Sequence, residues 1–448
     1  MSEPEPNSES KEQLHSGALE ESPEEERSPL GRLIKSIGPG IIAGASDDDP
    51  SGIGTYSAAG AAFGYSMLWT ALIALPLMAC VQYISAKIAM VTGSGLTTVL
   101  RDHYPRPLVV SAVALLIIAN TINAGTDMGA IAATINMFFP GIPVALAVIP
   151  VSLAILSLQV FGSYKLVSLI FKALTLVLLS YVASIWFVQV DWWTALKGTF
   201  LPAFAFDLPS ATMLVALLGT TISPYCFFFQ ASEEVEEEID MGRVDISQRL
   251  GASDKELKAA LLDIDLGMFF CVGVMYFIMV TTAATLHAHG ITDIKTAADA
   301  ALALRPLAGD AASLLFSLGI IGTGFLAVPV LTTSSAYAIS ELTGHEASLS
   351  ETFAQDRCFY GVIALSTLVG VAINFIGINP ITALVWTAVV NGCLAPPLLL
   401  LIMLTANNRA IMGERVNGPL ANFLGWTTTI LMFVASILLL VLYLLPHA

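Results

Sequence analysis

Apolar residues run along the chain in stretches of about 20, the length that a bilayer core demands of a helix. Eleven such segments can be marked, at 33–62, 66–91, 108–136, 143–160, 164–189, 209–239, 260–287, 311–341, 359–376, 380–405 and 421–445. Two of them are interrupted. In segment 1 the run Gly44-Ala45-Ser46-Asp47-Asp48-Asp49-Pro50-Ser51-Gly52 breaks the apolar pattern, and in segment 6 Gly219-Thr220-Thr221-Ile222-Ser223-Pro224-Tyr225 does the same. Proline removes a backbone donor and clashes with the carbonyl four residues earlier. Irregular backbone at membrane depth is tolerated only where it lines a cavity or is buried in protein. Interrupted helices at matching places, five segments apart, point to a transporter built of two inverted repeats with its site between them. Segments 1–5 and 6–10 form the two repeats, and segment 11 is an addition.

Lysine and arginine in the intervening loops set the orientation. With the amino terminus inside, 16 of the 19 basic residues fall on the cytosolic side; only Lys197, Lys295 and Arg305 fall outside. A missed helix would scramble every later loop. The expectation is therefore a cytosolic amino terminus, an external carboxyl terminus and Trp186, Trp192 and Trp193 as anchors at the outer interface.

Composition agrees with the pattern. Hydrophobic residues make up 56% of the 448, charged residues only 12%, and mean hydropathy is +0.77. Soluble proteins are about 25% charged, so a soluble enzyme and a disordered chain are excluded. No basic block exists to track phosphates, and a net charge of −16 argues against a nucleic-acid partner. The five cysteines are scattered without a C-x-x-C pair, which reads as reduced structural thiols with neither a disulfide framework nor a zinc site. Catalysis has no candidate residues, since neither a nucleophile–base pair nor H-E-x-x-H occurs.

The negative charge sits in two places. Residues 1–29 carry nine Glu against Lys11 and Arg27, and are too polar to fold. Residues 231–265 carry eleven acids against four bases. Glu233 to Asp240, at the end of segment 6, read either as a solvated helix end or as a funnel through which a cation leaves. The expected divisions are a disordered acidic cytosolic tail at 1–29, a first five-helix repeat at 30–190, an outer loop and broken helix 6 at 191–240, a cytosolic loop at 241–259, the remainder of the second repeat at 260–405, and a loop with helix 11 at 406–448.

Asp49 carries the candidate chemistry. A carboxylate near the bilayer centre is costly unless partnered, and such residues are functional by default. Beside an unwound turn it meets free backbone carbonyls, an anionic oxygen-lined hollow suited to a hard cation such as Mg²⁺, Ca²⁺ or Mn²⁺. Asp47 and Asp48 lie on other faces of that turn, and at least one of them serves structure or the approach to the site. Asn391 is a candidate supporting amide. His287, His289 and Asp293 read as a solvated surface, and Gly322-x-Gly324 as tight helix packing.

Asp49-Pro50-Ser51-Gly52 resembles the D-P-G-N motif in the first helix of the natural resistance-associated macrophage protein (NRAMP) divalent-metal transporters. Thr220 to Tyr225 resembles the A-x-x-M-P-H stretch of their sixth helix, and the similarity extends through Gly125-Thr126-Asp127 and through Gly319 to Glu341. The resemblance implies an all-α polytopic membrane protein of eleven transmembrane helices with a leucine-transporter-type fold, a 5+5 inverted repeat and broken helices 1 and 6. It implies a metal held by Asp49, Gly52, Thr220 and Ser223, with Asp48, Asn123, Asp127, Tyr225, Gln230 and Asn391 around it or along the pathway.

The departures from the family pattern narrow the substrate. The family's Asn ligand is Gly52 here, and its Met ligand is Ser223. A thioether favours soft transition metals, and a hydroxyl removes that preference. A larger, all-oxygen site suits Mg²⁺, which dehydrates reluctantly and keeps several waters. The pairing of D-P-S-G with T-I-S-P-Y resembles the NRAMP-related magnesium transporter branch. The family's helix-6 histidines are Tyr225 and Gln230, and its helix-3 Glu is Ala130, so Asp127 alone remains of the proton machinery.

The expectation is thus a passive importer of Mg²⁺, with Mn²⁺ as a second substrate and no cofactor. Its partners are the metal ion and the lipid bilayer, with a monomer favoured, in a prokaryotic cell membrane. The alternatives are a proton-coupled Mn²⁺/Fe²⁺ transporter of the typical NRAMP kind and, more weakly, an organic-solute symporter of the same fold.

Overall fold

The computed structural model describes residues 38–161, 170, 174, 178–294, 297–345, 355–376 and 380–444. The acidic tail and most of segment 5 lie outside the described residues. Among those described there are helices and no strand.

Segment 1 is two helices, α1 (Pro39–Asp47) and α2 (Pro50–Phe63). Next come α3 (Trp69–Thr92), α4 (Leu96–His103), α5 (Arg106–Phe138) and α6 (Val144–Phe161). Short α7 (Leu179–Ser184) and α8 (Trp192–Phe200) lead to the second repeat. Segment 6 is again two helices, α9 (Leu208–Thr221) and α10 (Pro224–Asp240). The chain continues through α11 (Ile246–Arg249), α12 (Asp254–Thr285), α13 (Ala297–Thr343), α14 (Arg357–Ile373), α15 (Pro380–Ala406), α16 (Arg409–Met412) and α17 (Pro419–Leu444). Within α13 the direction changes at Gly309, whose φ of 89° only glycine adopts without strain. Eight helices among the described residues are long and apolar enough to cross a membrane, with Arg357–Ile373 a shorter apolar one.

Both breaks use the same local chemistry. Asp49 and Ser223 have extended backbone (φ −66°, ψ 167° and φ −81°, ψ 125°), and each precedes a proline at the first helical position. A residue before proline is driven out of the α region, whereas proline itself is tolerated at a helix start because its missing N–H has no partner there anyway. The chain therefore ends one helix and begins another without a loop.

Packing follows a reciprocal pattern. The first broken pair, α1 and α2, lies on α12, the second long helix of the other repeat; the second broken pair lies on α3, the second long helix of the first. The third helices of the repeats, α5 and α13, lie against each other. Two glycine crossings bring backbones into contact near the breaks. A Cβ on Gly44 would sit 2.5 Å from the Gly267 carbonyl, and one on Gly219 would sit 2.2 Å from the Ala388 carbonyl and 2.4 Å from Gly392 N. Small residues at such crossings permit the close van der Waals packing that holds helices together in lipid.

The broken helices occupy the middle of the bundle. In Leu208–Asp240 94% of the apolar window is buried, against 28% in Pro419–Leu444 at the rim. Ile118, Leu368, Phe423 and Val434 point outward and are more than half exposed, a surface for lipid rather than water. The chain is an integral, multi-pass membrane protein with the leucine-transporter-type arrangement.

Candidate metal centre

Asp49 caps α2. One carboxylate oxygen, Oδ1, accepts from Gly52 N and from Ser51 Oγ, both at 2.6 Å. The other, Oδ2, accepts from Asn123 Nδ2 of α5 at 2.7 Å. One turn further along α5, Asp127 Oδ1 accepts from Ser51 N at 3.1 Å. Residues four apart share a helix face, so Asn123 and Asp127 together hold the start of α2. Two polar atoms of this face, Asn123 Oδ1 and Asp127 Oδ2, are buried without a hydrogen-bond partner. Asn120 does something else: it donates to Leu331 O and Ser335 Oγ and fastens α5 to α13.

The second break meets the first at Gly52. A Cβ there would lie 3.1 Å from Thr220 Oγ1 and 3.2 Å from Tyr56 OH. Ser223 Oγ donates to the Thr220 carbonyl at 2.8 Å and leans on that of Gly219 at 3.3 Å. Asp49 and Gly52 on one side, and Thr220 and Ser223 on the other, therefore line one buried place between the breaks, each at most 2% exposed where a side chain is present. Sequence reasoning missed Tyr56. Its hydroxyl is fully buried and unpartnered, and its position four residues after Gly52, on the same face of α2, was the available signal.

Of the surrounding residues, Tyr225 is a strap. Its hydroxyl donates to the Ser46 carbonyl at 2.8 Å, satisfying one of the last carbonyls of α1, and its own carbonyl accepts from Ser334 Oγ. Gln230 is not at the centre; its amide donates to Glu234 Oε1 at 2.7 Å, further along α10. Asn391 is buried on α15 beside Gly392 at the α9 crossing, and none of the hydrogen bonds around Asp49 involves it. Asp48 Oδ1 lies 3.4 Å from Cys271 Sγ of α12.

The acidic end of α10 is not a solvated helix end. Glu233, Glu234, Glu236 and Glu238 are all buried. Glu236 accepts from Tyr337 OH of α13 at 2.8 Å, and Arg243 pairs with both Glu238 and Glu256. Nearby, Glu341 accepts from Ser232 Oγ and Thr98 N, while Arg101 donates to its carbonyl. The acids form a junction of α4, α10 and α13. At the other end of the bundle His287 Nδ1 contacts the Ala61 carbonyl at 2.8 Å, closing the end of α2.

This centre combines a carboxylate, main-chain carbonyls and hydroxyls in a site shut off from water. Such a donor set binds hard cations and offers nothing to an anion. No three His, Cys, Asp or Glu side chains among the described residues are arranged as a metal cage.

The chain is 26% identical over 417 residues to the divalent metal cation transporter MntH of Bacillus subtilis, covering 91% of this chain and 92% of that one. It is 27% identical over 389 residues to the protein of the same name from Granulibacter bethesdensis, covering 85% and 82%. A crystal structure of the Eremococcus coleocola manganese transporter superposes with a TM-score of 0.72 at 18% identity, over 93% of this chain and 87% of that one. Mhp1, a nucleobase-cation-symport-1 family transporter, superposes with a TM-score of 0.56 at 15% identity, over 91% of each chain. The profile of the natural resistance-associated macrophage protein-like family matches residues 40–442, and the chain belongs to that family.

Proposed function

We propose that this protein is a secondary transporter that imports Mg²⁺, with Mn²⁺ as a second substrate, by alternating access and without moving protons. The observation that carries the reading is the set of groups between the two breaks: the Asp49 carboxylate, the Thr220 carbonyl and the Ser223 hydroxyl are all oxygen, while Gly52 turns its N–H to Asp49. Relatives named for divalent metal and manganese transport support a divalent cation as cargo. Thioether and imidazole ligands select transition metals, and their absence from these positions opens the site to a harder ion. Mg²⁺ keeps part of its water shell, and the hydroxyls of Tyr56, Thr220 and Ser223 are suited to bind that water.

Energy for uptake needs no proton. Two charges moving through a potential of ~100 mV gain about 4.6 kcal/mol. With the amino terminus inside, the ion passes from Ser223 along α10 toward its acidic end. Tyr225 and Gln230, which stand where the family pattern has histidine, are engaged as a strap and as a partner of Glu234, and neither titrates near neutrality. One observation favours the proton-coupled alternative: Asp127 Oδ2 is buried and unpartnered. Proteoliposomes loaded with a Mg²⁺ indicator test the reading. Wild type should take up Mg²⁺ and Asp49→Ala should not; a wild type that moves no Mg²⁺ would sink the proposal.

A further inference from the structure

The carboxylates of Asp47 and Asp48 meet two thiols, and that of Asp47 also lies beside the Ser223 hydroxyl. Cys226 Sγ, in the first turn of α10, lies 3.2 Å from Asp47 Oδ1. Cys271 Sγ, on α12, lies 3.4 Å from Asp48 Oδ1 and 3.9 Å from Asp47 Oδ2. These cysteines are 45 positions apart in sequence, yet both are buried and free. The glycine crossing explains the meeting. Gly44 and Gly267 touch backbone to backbone, and four residues beyond each, on the same faces, stand Asp48 and Cys271.

The place lacks a counter-charge. Asp47 and Asp48 are at most 1% exposed, Asp48 Oδ2 is unpartnered, and no salt bridge among the described residues reaches either. Thiols are weak donors, so Asp48 is buried on one poor hydrogen bond, and Asp47 on two of them beside the Ser223 hydroxyl. Two sulfurs and two carboxylates make a soft, mixed donor set unlike the oxygen centre at Asp49.

We infer that Cys226, Cys271, Asp47 and Asp48 form a second metal site, specific for thiophilic divalent cations of the Cd²⁺ and Zn²⁺ class, whose occupation stops transport. With metal–sulfur bonds of about 2.3 Å and metal–oxygen bonds of about 2.1 Å, the edge of a tetrahedral S₂O₂ site is about 3.6 Å. The three sulfur–oxygen separations straddle that value. The four groups are not yet a closed cage; side-chain rotation from thiol–carboxylate hydrogen bonds onto a common centre closes it. The charge balances: each thiol releases its proton to water, so a dication replaces two protons and the interior gains no net charge. A metal here ties the end of α1 to α10 and α12, and alternating access requires such elements to move against one another.

The inhibition part of this inference rests on the transport reading, whereas binding does not. Cd²⁺ alone is the probe. The variant Cys80→Ser/Cys358→Ser/Cys393→Ser retains only the two thiols in question. Titrated with Cd²⁺ in detergent, it should develop the ultraviolet thiolate-to-cadmium charge-transfer band and saturate at one ion per chain. In proteoliposomes, Cd²⁺ should half-inhibit Mg²⁺ uptake by wild type at least tenfold more potently than uptake by Cys226→Ser/Cys271→Ser. Absence of the band overturns the site even if the double-serine protein fails to fold. Equal Cd²⁺ sensitivity of the two proteins overturns the block. If wild type moves no Mg²⁺, the transport reading fails, and the titration still decides whether the site exists.

Discussion

At the first break Asp49 precedes Pro50 and supplies a carboxylate; at the second Ser223 precedes Pro224 and supplies a hydroxyl and neighbouring carbonyls. The backbone device is common to both, and the chemistry is divided between them. Charge comes from α1–α2, where α5 braces it through Asn123 and Asp127. On the proposed reading, softness or hardness is set at α9–α10, where residue 223 places a hydroxyl against the Thr220 carbonyl. On that reading a neutral break beside a charged one lets selectivity change without disturbing the Asp49 carboxylate.

The sharpest way to break this division is Asp49→Asn, which keeps the shape and removes the charge. Uptake of every divalent ion should fall to the background of empty liposomes, measured with Mg²⁺ and Mn²⁺ indicators; retained Mn²⁺ uptake would place the charge elsewhere. Ser223→Met should leave overall uptake intact but shift preference toward Mn²⁺ and Cd²⁺ over Mg²⁺ on the order of tenfold, equal to ~1.4 kcal/mol. Competition of Mg²⁺ against Cd²⁺ reads it, and an unchanged ratio would mean that the second break does not set selectivity. Gly219→Ala forces α9 off α15 and should cost about 1–3 kcal/mol of stability, seen as a lower melting temperature in detergent. Asp207→Ala should have the smallest effect. Asp207 caps α9 far from the break, and the Ser210 N–H holds its carboxyl below the usual range. A depressed carboxyl contributes stability above its ordinary titration range and loses it as pH falls through the lowered value, so the small loss in melting temperature should vanish in acid while uptake stays unchanged.

Much of this arrangement was legible in the sequence because it is local. Pro50 and Pro224 inside apolar runs mark the breaks, and a buried aspartate beside one of them marks the charge. The reciprocal packing of the two repeats follows from the matching positions of those breaks. What escaped is tertiary. Tyr56 reads as an ordinary residue of an apolar helix until Gly52 and Thr220 meet beside it. Cys226 and Cys271 read as isolated thiols until the Gly44–Gly267 crossing brings α12 against α1. The acids of α10 read either as a solvated helix end or as an exit funnel, and the sequence could not tell that Glu236 is held by Tyr337, 101 positions away. Gln230, which the resemblance places around the metal or along the pathway, donates to Glu234 one turn on, a partner that the family pattern does not announce.

The central claim is that an oxygen-only centre carries Mg²⁺ down its electrochemical gradient with no proton. Proteoliposomes holding both a Mg²⁺ indicator and a pH indicator, with an inside-negative potassium diffusion potential, test it most directly. The account predicts a rise in internal Mg²⁺ that grows with the imposed potential while internal pH stays flat. Internal acidification that tracks Mg²⁺ entry and disappears in Asp127→Asn would contradict it.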